Sequence, residues 1–326
     1  MKSASKDDPT SEADLPILLA ISGGRDSVAL LHWLISQQRG NIILCHLNHG
    51  LRGHESDQDA ALVRKLAKRH HLPCEISKVN AAAFAKQHRL SVETAGRELR
   101  HIFLFKMAAK HGAQRICLAH HADDQAETIL ANLCRGSALG GLSGMLKETV
   151  IMRGEQRLTF ERPLLEWRRA EIDSYIKEHH LQFREDSSNV SLKHRRNRLR
   201  HEVLPLLNEI YGRDVSPILA RFGRHACRDD NALWAPVQQL AADHIAPDGS
   251  LMITPSLAQQ HPATLTRLLH WWLTEKLGLT GIDNANIEAA AAMLVPGGPA
   301  KINLPASLHL RRKAKRLWVC PSNIAP

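Results

Sequence analysis

The sequence predicts an α/β fold: a parallel sheet with helices on both faces, then a smaller, mainly helical domain ending in short strands. Three observations predict it. Apolar strand-like runs alternate with helix-period segments between residues 17 and 135. At 326 residues the chain is long enough for two domains and a large core. Beyond residue 213 the spacing is helical to 295, where Pro296-Gly297-Gly298-Pro299 breaks it before short strand-like pieces.

The elements follow in order. Residues 1–16 mix Lys2, Lys6, Asp7, Asp8, Glu12 and Asp14 with Ser, Thr and Pro. That composition predicts a disordered tail; no basic segment precedes the short apolar run, as a signal peptide requires. Residues 17–22 read as a buried strand that meets the turn Ser22-Gly23-Gly24. Val28, Leu30, Leu31, Leu34 and Ile35 then recur at helical spacing over 26–38. A second strand is expected at 41–49, a helix near 55–71, a strand near 73–80, a helix near 91–111, a strand at 115–119 and a helix near 123–135. Apolar strands alternating with helices imply a parallel sheet covered on both faces. Ligands of such sheets lie beyond the carboxyl ends of the strands. That rule gathers the Ser22 loop, His46–Arg52 and His120–Asp124 at one rim. The first domain is read as 17–212. The second, 213–326, has helical spacing at Ala232–Ile245, Leu265–Leu277 and Asn286–Leu294 and carries no recognisable chemistry of its own.

The strand–turn–helix at residues 17–38 aims several backbone N–H groups at one point, and the helix dipole adds positive potential there. Adjacent Gly23 and Gly24 let bare backbone approach a phosphate. Ser22 and Ser27 add hydroxyls, and Asp26 sets a carboxylate beside the anion, suited to a cation or a substrate amine. The Gly-Lys-Ser/Thr ending of a Walker A loop is absent, as is G-x-G-x-x-G. Ser22-Gly23-Gly24-Arg25-Asp26-Ser27 instead resembles the PP-loop, S-G-G-x-D-S, of ATP pyrophosphatases, which cleave ATP between the α and β phosphates and pass AMP to a substrate oxygen.

Two further segments narrow the resemblance. His46-Leu47-Asn48-His49-Gly50-Leu51-Arg52, continued by Glu55-Ser56-Asp57, and Ala119-His120-His121-Ala122-Asp123-Asp124-Gln125-Ala126-Glu127-Thr128 resemble blocks of the tRNA(Ile)-lysidine synthases. Arg135-Gly136-Ser137, Arg162-Pro163-Leu164-Leu165, Asp186-Ser187-Ser188-Asn189 and Arg196-Asn197-Arg198-Leu199-Arg200 extend the resemblance, which is dense over 17–210 and looser beyond. It implies an enzyme that uses ATP and Mg²⁺ to adenylate the C2 oxygen of the wobble cytidine in the CAU-anticodon isoleucine tRNA. The ε-amine of free lysine then displaces AMP to give lysidine. It also implies roles. Ser22, Gly23, Gly24, Arg25, Asp26, Ser27 and His49 would meet the nucleotide, and Asp26, Asp124 and Arg97 would act in catalysis. Asp26 and Asp123 would hold Mg²⁺; Arg52, Arg100, Arg195, Arg196, Arg198 and Arg200 would face tRNA or substrate. Asp123 and Asp124 also suit the N-terminus of the following helix as caps. Arg97 and Arg100 lie near one helix face, where a solvated role is an equal alternative, and a homodimer is left open.

Composition sets the remaining bounds. Net charge is +10 and the isoelectric point about 9.5, a balance that favours a polyanionic partner. Two basic runs, Lys193–Arg200 and Arg311–Arg316, are expected to contact phosphates, with a solvated face as the alternative. Six scattered cysteines without C-x-x-C predict buried thiols in a reducing cytoplasm. They also weigh against the runner-up activity, a tRNA thiolase with paired cysteines or an iron–sulfur cluster. His46, His49, His54, His120 and His121 lack the three or four ligands typical of zinc. No apolar stretch approaches 18 residues, so no membrane span is expected.

Overall fold

Leu18 and Leu19 show how the first sheet is built. The structure is a computed structural model that describes residues 15–51, 53–185 and 195–321. In it, β1 (Ile17–Ala20) is a central strand whose successive side chains enter different cores. Leu19 packs with Val28, Leu31 and Leu34 of α1 (Arg25–Ser36) and with Val63 and Leu66 of α2 (His54–Arg69). Leu18 packs with Phe103, Leu104 and Met107 of α4 (Val92–His111) on the opposite face. Burial on both faces is why β1 is apolar throughout instead of alternating.

The sheet also contains β2 (Ile42–Asn48), β3 (Cys74–Lys78), β4 (Arg115–Cys117), β5 (Glu148–Arg153) and β6 (Gln156–Glu161). Its order is β3-β2-β1-β4-β6-β5, with every pair parallel except β5 with β6. The β5–β6 hairpin is absent from the sequence reading. β5 is an edge strand whose short apolar run, Val150-Ile151-Met152, leaves Val150 and Met152 exposed, whereas β6 buries Leu158 and Phe160. α3 (Ala81–His88) and α7 (Arg169–Glu178) are likewise unforeseen. Caps set two helix starts: Asn80 accepts from the Ala83 amide and Ser91 from the Thr94 amide. α5 (Ala122–Leu133) follows β4 directly, and α6 (Leu139–Leu142) is a single turn. The chain is then helical through α8 (Arg195–Arg198), a π turn at Leu199–Val203 and α9 (Leu204–Tyr211).

Two compact units divide at Arg224–His225, within α10 (Ser216–His244); the sequence reading set the border at 212–213. The second unit contains β7 (Leu251–Met252), α11 (Pro255–Ala258), α12 (Pro262–Trp271), α13 (Asn284–Ala292), β8 (Lys301–Leu304), β9 (Leu308–Lys313) and β10 (Arg316–Pro321). Its antiparallel sheet has the order β7-β10-β9-β8. Leu304, Leu310 and Leu317 face a core built on Trp272, Leu268 and Leu273.

Strand alternation splits the basic run at 311–316. Arg312 pairs with Leu317 on the core side, and its guanidinium donates to the carbonyls of Met293, Val295 and Gly298. Lys301, His309, Arg311, Lys313, Arg316 and Trp318 share the other face by register. Among the described residues, no helix is long and apolar enough to cross a membrane.

Candidate active site

The loop after β1 takes its shape from its own side chains. Ser27 Oγ donates to the Gly24 carbonyl at 2.9 Å and accepts from the Ser22 amide at 3.2 Å, while Ser22 Oγ accepts from the Gly24 amide at 3.2 Å. His46, at the far end of β2, holds the Ile21 carbonyl from Nδ1 at 2.8 Å. Both hydroxyls are thus occupied in keeping the loop open. No side chain caps Gly24 at the head of α1, so the first-turn amides face the anion position. Gly23 has φ +88°, which excludes a side chain more firmly than crowding does. Gly23→Val should therefore weaken ATP binding by about 10-fold or more, through a strain of about 1–2 kcal/mol or above. Calorimetric titration with a non-hydrolysable ATP analogue checks this, with circular dichroism to verify the fold.

Four carboxylates converge on the rim of the sheet. α5 begins after β4, which carries Asp123, Asp124 and Glu127 there, while α1 supplies Asp26. His121 lies among them: Nε2 is 3.4 Å from Asp124 and 3.9 Å from Asp26, and Nδ1 is 3.5 Å from Asp123. Burial opposes a charge on His121, but its contact with Asp123 and the charges of Asp124 and Asp26 outweigh it, so its pKa is raised. Asp124 accepts from the His121 amide at 3.1 Å and so does cap its helix. Burial would raise the Asp124 pKa, yet His121 and Arg196 hold it below the usual range. Asp123 accepts from the Arg169 amide at 2.8 Å, and Asp26 pairs with the Arg169 guanidinium at 2.6 Å.

A cationic half adjoins the acidic one. Glu127, only 1% exposed, receives Arg196 Nε at 2.7 Å and Arg200 Nε at 2.5 Å. The Nη2 atoms of the same arginines reach Asp124 at 3.1 and 3.0 Å. Arg196 and Arg200 lie four apart, so one helix face presents both forks to the pair of acids. Arg97 and Arg100 of α4 have no hydrogen-bond or ion-pair partner among the described residues. Arg100 is exposed by surface area, yet desolvation is the largest influence on its pKa, which is lowered further by Arg97 and Arg196. The neighbouring imidazoles stay neutral. Burial, then Arg100, brings His49 to about 4. Burial likewise brings His120 to about 4, with Arg162 and Arg196 adding to it and Asp124 opposing.

The donor set suits a nucleotide with its metal: free amides and unpaired guanidiniums for phosphate, hard carboxylate oxygens for Mg²⁺. Among the described residues, no three His, Cys, Asp or Glu side chains converge as a metal cage.

Ser22, Gly23, Gly24, Asp26 and Ser27 therefore meet Asp123 and Asp124 at one rim, with His49, Arg97 and Arg100 on the cationic side and Arg196 and Arg200 between. Three expected contacts separate from this group. Arg25 offers only its backbone, because its guanidinium pairs with Asp173 at 2.6 Å and Glu185 at 3.0 Å over the Phe183 ring. Arg198 pairs with Glu202 at 2.7 Å along its own helix, and Arg195 is exposed without a partner among the described residues. Within the described part of the run, 195–200, helical spacing sends alternate arginines to opposite sides. Arg52, Lys193, His194 and the Asp186–Asn189 segment lie outside the described residues, as do residues 1–14 of the expected tail. Sequence reasoning assigned no role to Glu127, Arg162 or Arg169. Glu127 had a signal, three positions after Asp124 and so on the same face of α5. Arg169 had none.

Three comparisons place these features among known proteins. Residues 3–207 match the family model of the PP-loop domain. The chain is 38% identical over 301 residues to a tRNA(Ile)-lysidine synthase of Dehalococcoides mccartyi, covering 90% of this chain and 63% of that protein. It is 35% identical over 319 residues to that of Geobacter sulfurreducens, covering 94% and 66%. The chain thus spans a little under two thirds of these relatives. A U34-tRNA thiolase of Methanococcus maripaludis, a structure with a [4Fe-4S] cluster, shares the fold at a TM-score of 0.52, with 18% identity over 65% of this chain and 73% of that one.

Proposed function

Since the chain belongs to the PP-loop domain family, whose members use ATP, we propose that it joins free lysine to the wobble cytidine of the CAU-anticodon isoleucine tRNA. The cytidine C2 oxygen attacks the α-phosphorus of ATP with loss of pyrophosphate, and the lysine ε-amine then attacks C2 with loss of AMP. The observation that carries this reading is the meeting of the Ser22–Ser27 loop with Asp123, Asp124 and Glu127 at one rim. Similarity to lysidine synthases along most of the chain supports it.

Each group has a role. The loop amides and the head of α1 hold phosphate. Asp26 and Asp123 receive the cations, Mg²⁺ and the lysine ammonium. Mg²⁺, when bound, withdraws charge from the phosphate oxygens. Arg97 and Arg100 stand ready for negative charge that grows at the reacting phosphate. Asp124 and Glu127 orient Arg196 and Arg200; an Asp124 held ionised by these partners is a poor proton acceptor. The cytoplasm, with its ATP and tRNA, is the expected place of action.

The thiolase reading fits less well. The expectation of buried thiols holds for Cys45 and Cys117, which burial pushes up to about 12, far from a reactive thiolate, but not for the half-buried Cys74, Cys227 and Cys320 or the exposed Cys134. Incubating the protein with isoleucine tRNA, ATP, Mg²⁺ and lysine, then weighing the wobble nucleoside, decides between the readings. Addition of lysine with loss of water is expected. Exchange of oxygen for sulfur, with a sulfur donor present, would install the thiolase instead.

tRNA docking makes a separate prediction. Neutralising Arg311, Lys313 and Arg316 on the outer face of the second sheet should flatten the log–log salt dependence of tRNA affinity, by about 0.7–0.9 per lost phosphate contact. ATP affinity should not change. Arg312→Ala should lower stability instead, by about 1–3 kcal/mol, because three carbonyls lose their donor. A filter-binding titration against salt checks the first, and a melting curve the second.

A further inference from the structure

We propose that Arg169 is a resident cation: its guanidinium neutralises Asp26 in the ligand-free protein, and an arriving substrate cation displaces it onto Asp173, one turn along α7. This rests on the reading of Asp26 as the carboxylate that receives a cation. The exchange needs little movement. Arg169 Nη1 is 2.6 Å from Asp26, while Nε of the same side chain already lies 3.7 Å from Asp173. The Arg169 amide stays bonded to Asp123, so the backbone keeps its place while the side chain turns. Asp173 can take the guanidinium because its other partner, Arg25, has a second acid in Glu185.

Exposure separates this pair from the others in the cluster. The Arg169 and Asp26 side chains are 37% and 30% exposed, and a pair this wet is weak and easily exchanged. Glu127, by contrast, is sealed under two arginines and would be left as a buried charge if either withdrew. Arg169 also keeps three neighbouring acids on α1 and α5 from repelling one another while no ligand is present. It is therefore a positioning residue, whose effect appears in cation affinity.

Two probes in the full chain test this: Mn²⁺, titrated by electron paramagnetic resonance, and labelled lysine, by equilibrium dialysis. Arg169→Gln should tighten one of them about two- to five-fold, the worth of one exposed ion pair. Asp173→Asn should weaken the same probe, because the guanidinium loses its alternative partner. In an Asp26→Asn background, Arg169→Gln should shift that probe less than about two-fold. The probe that responds identifies the cation. A fixed structural clamp predicts no tightening on loss of Arg169 and no opposite sign for Asp173. Unchanged or weakened binding of both probes in Arg169→Gln therefore overturns the proposal. Should that variant fail to fold, unchanged or tighter binding in Asp173→Asn overturns it alone. This pattern does not depend on tRNA turnover: failure of lysine addition with the pattern intact condemns the proposed reaction, and the reverse condemns only the role of Arg169.

Discussion

Asp26→Asn should leave the protein folded and slow ATP-dependent lysine addition to tRNA by about 100-fold or more, the scale on which removal of one electrostatic group in a preorganised site is felt. Asp26 stands at the first turn of α1, within the phosphate loop, and within 4 Å of the His121 nitrogen that also meets Asp124. Asparagine keeps the shape and removes the charge, so the phosphate-binding backbone stays while the cation loses its carboxylate. The stability cost should be small, about 0–1 kcal/mol, because the Arg169 pair is solvent-accessible. Glu127→Gln has the opposite profile. It should destabilise by about 3–5 kcal/mol as well as slow the reaction, because two guanidiniums lose a buried partner. Single-turnover rates with labelled lysine, set beside melting temperatures, separate these two profiles. A near-normal rate in the Asp26 variant would remove that carboxylate from the chemistry.

Acid should loosen the first unit from about pH 6.5 downward. His49 and His120 have folded-state pKa values of about 4, against an ordinary value of 6.5. The unfolded chain therefore takes up protons first as pH falls. Their contribution is complete above pH 6.5 and is lost as pH falls toward 4, by up to about 3 kcal/mol for each imidazole. The lowered carboxyl of Asp124 acts in the same direction at lower pH. His121 acts oppositely: its raised pKa adds stability below the unfolded value that disappears as pH rises through the folded one. Between pH 7 and 5 the net loss should be about 2–4 kcal/mol. Urea unfolding of wild type and of a His49→Gln, His120→Gln double variant checks this. The variant should lose much less over that interval, and parallel losses would show that neither histidine is held neutral.

Much of this architecture was legible in the chain. The strands whose ends carry the site, β1, β2 and β4, are local runs of apolar residues, and the phosphate loop is six consecutive residues whose backbone preferences are intrinsic. β5 escaped notice because an edge strand buries too little to need a pattern. The arginines divide along the same line. Their number and clustering can be read directly, but the side each one takes cannot. Arg196 and Arg200 turn inward because Glu127, some 70 positions earlier, must be neutralised once α5 buries it. Arg312 turns inward because three carbonyls at the end of α13 need a donor. Arg169 reaches Asp26 only because α7 packs against α1, a contact across 143 positions that no local pattern encodes. Backbone conformation and burial periodicity are short-range and were written in the sequence by itself. The pairing of charges depends on which of them folding strips of water, and the tertiary structure alone decides that.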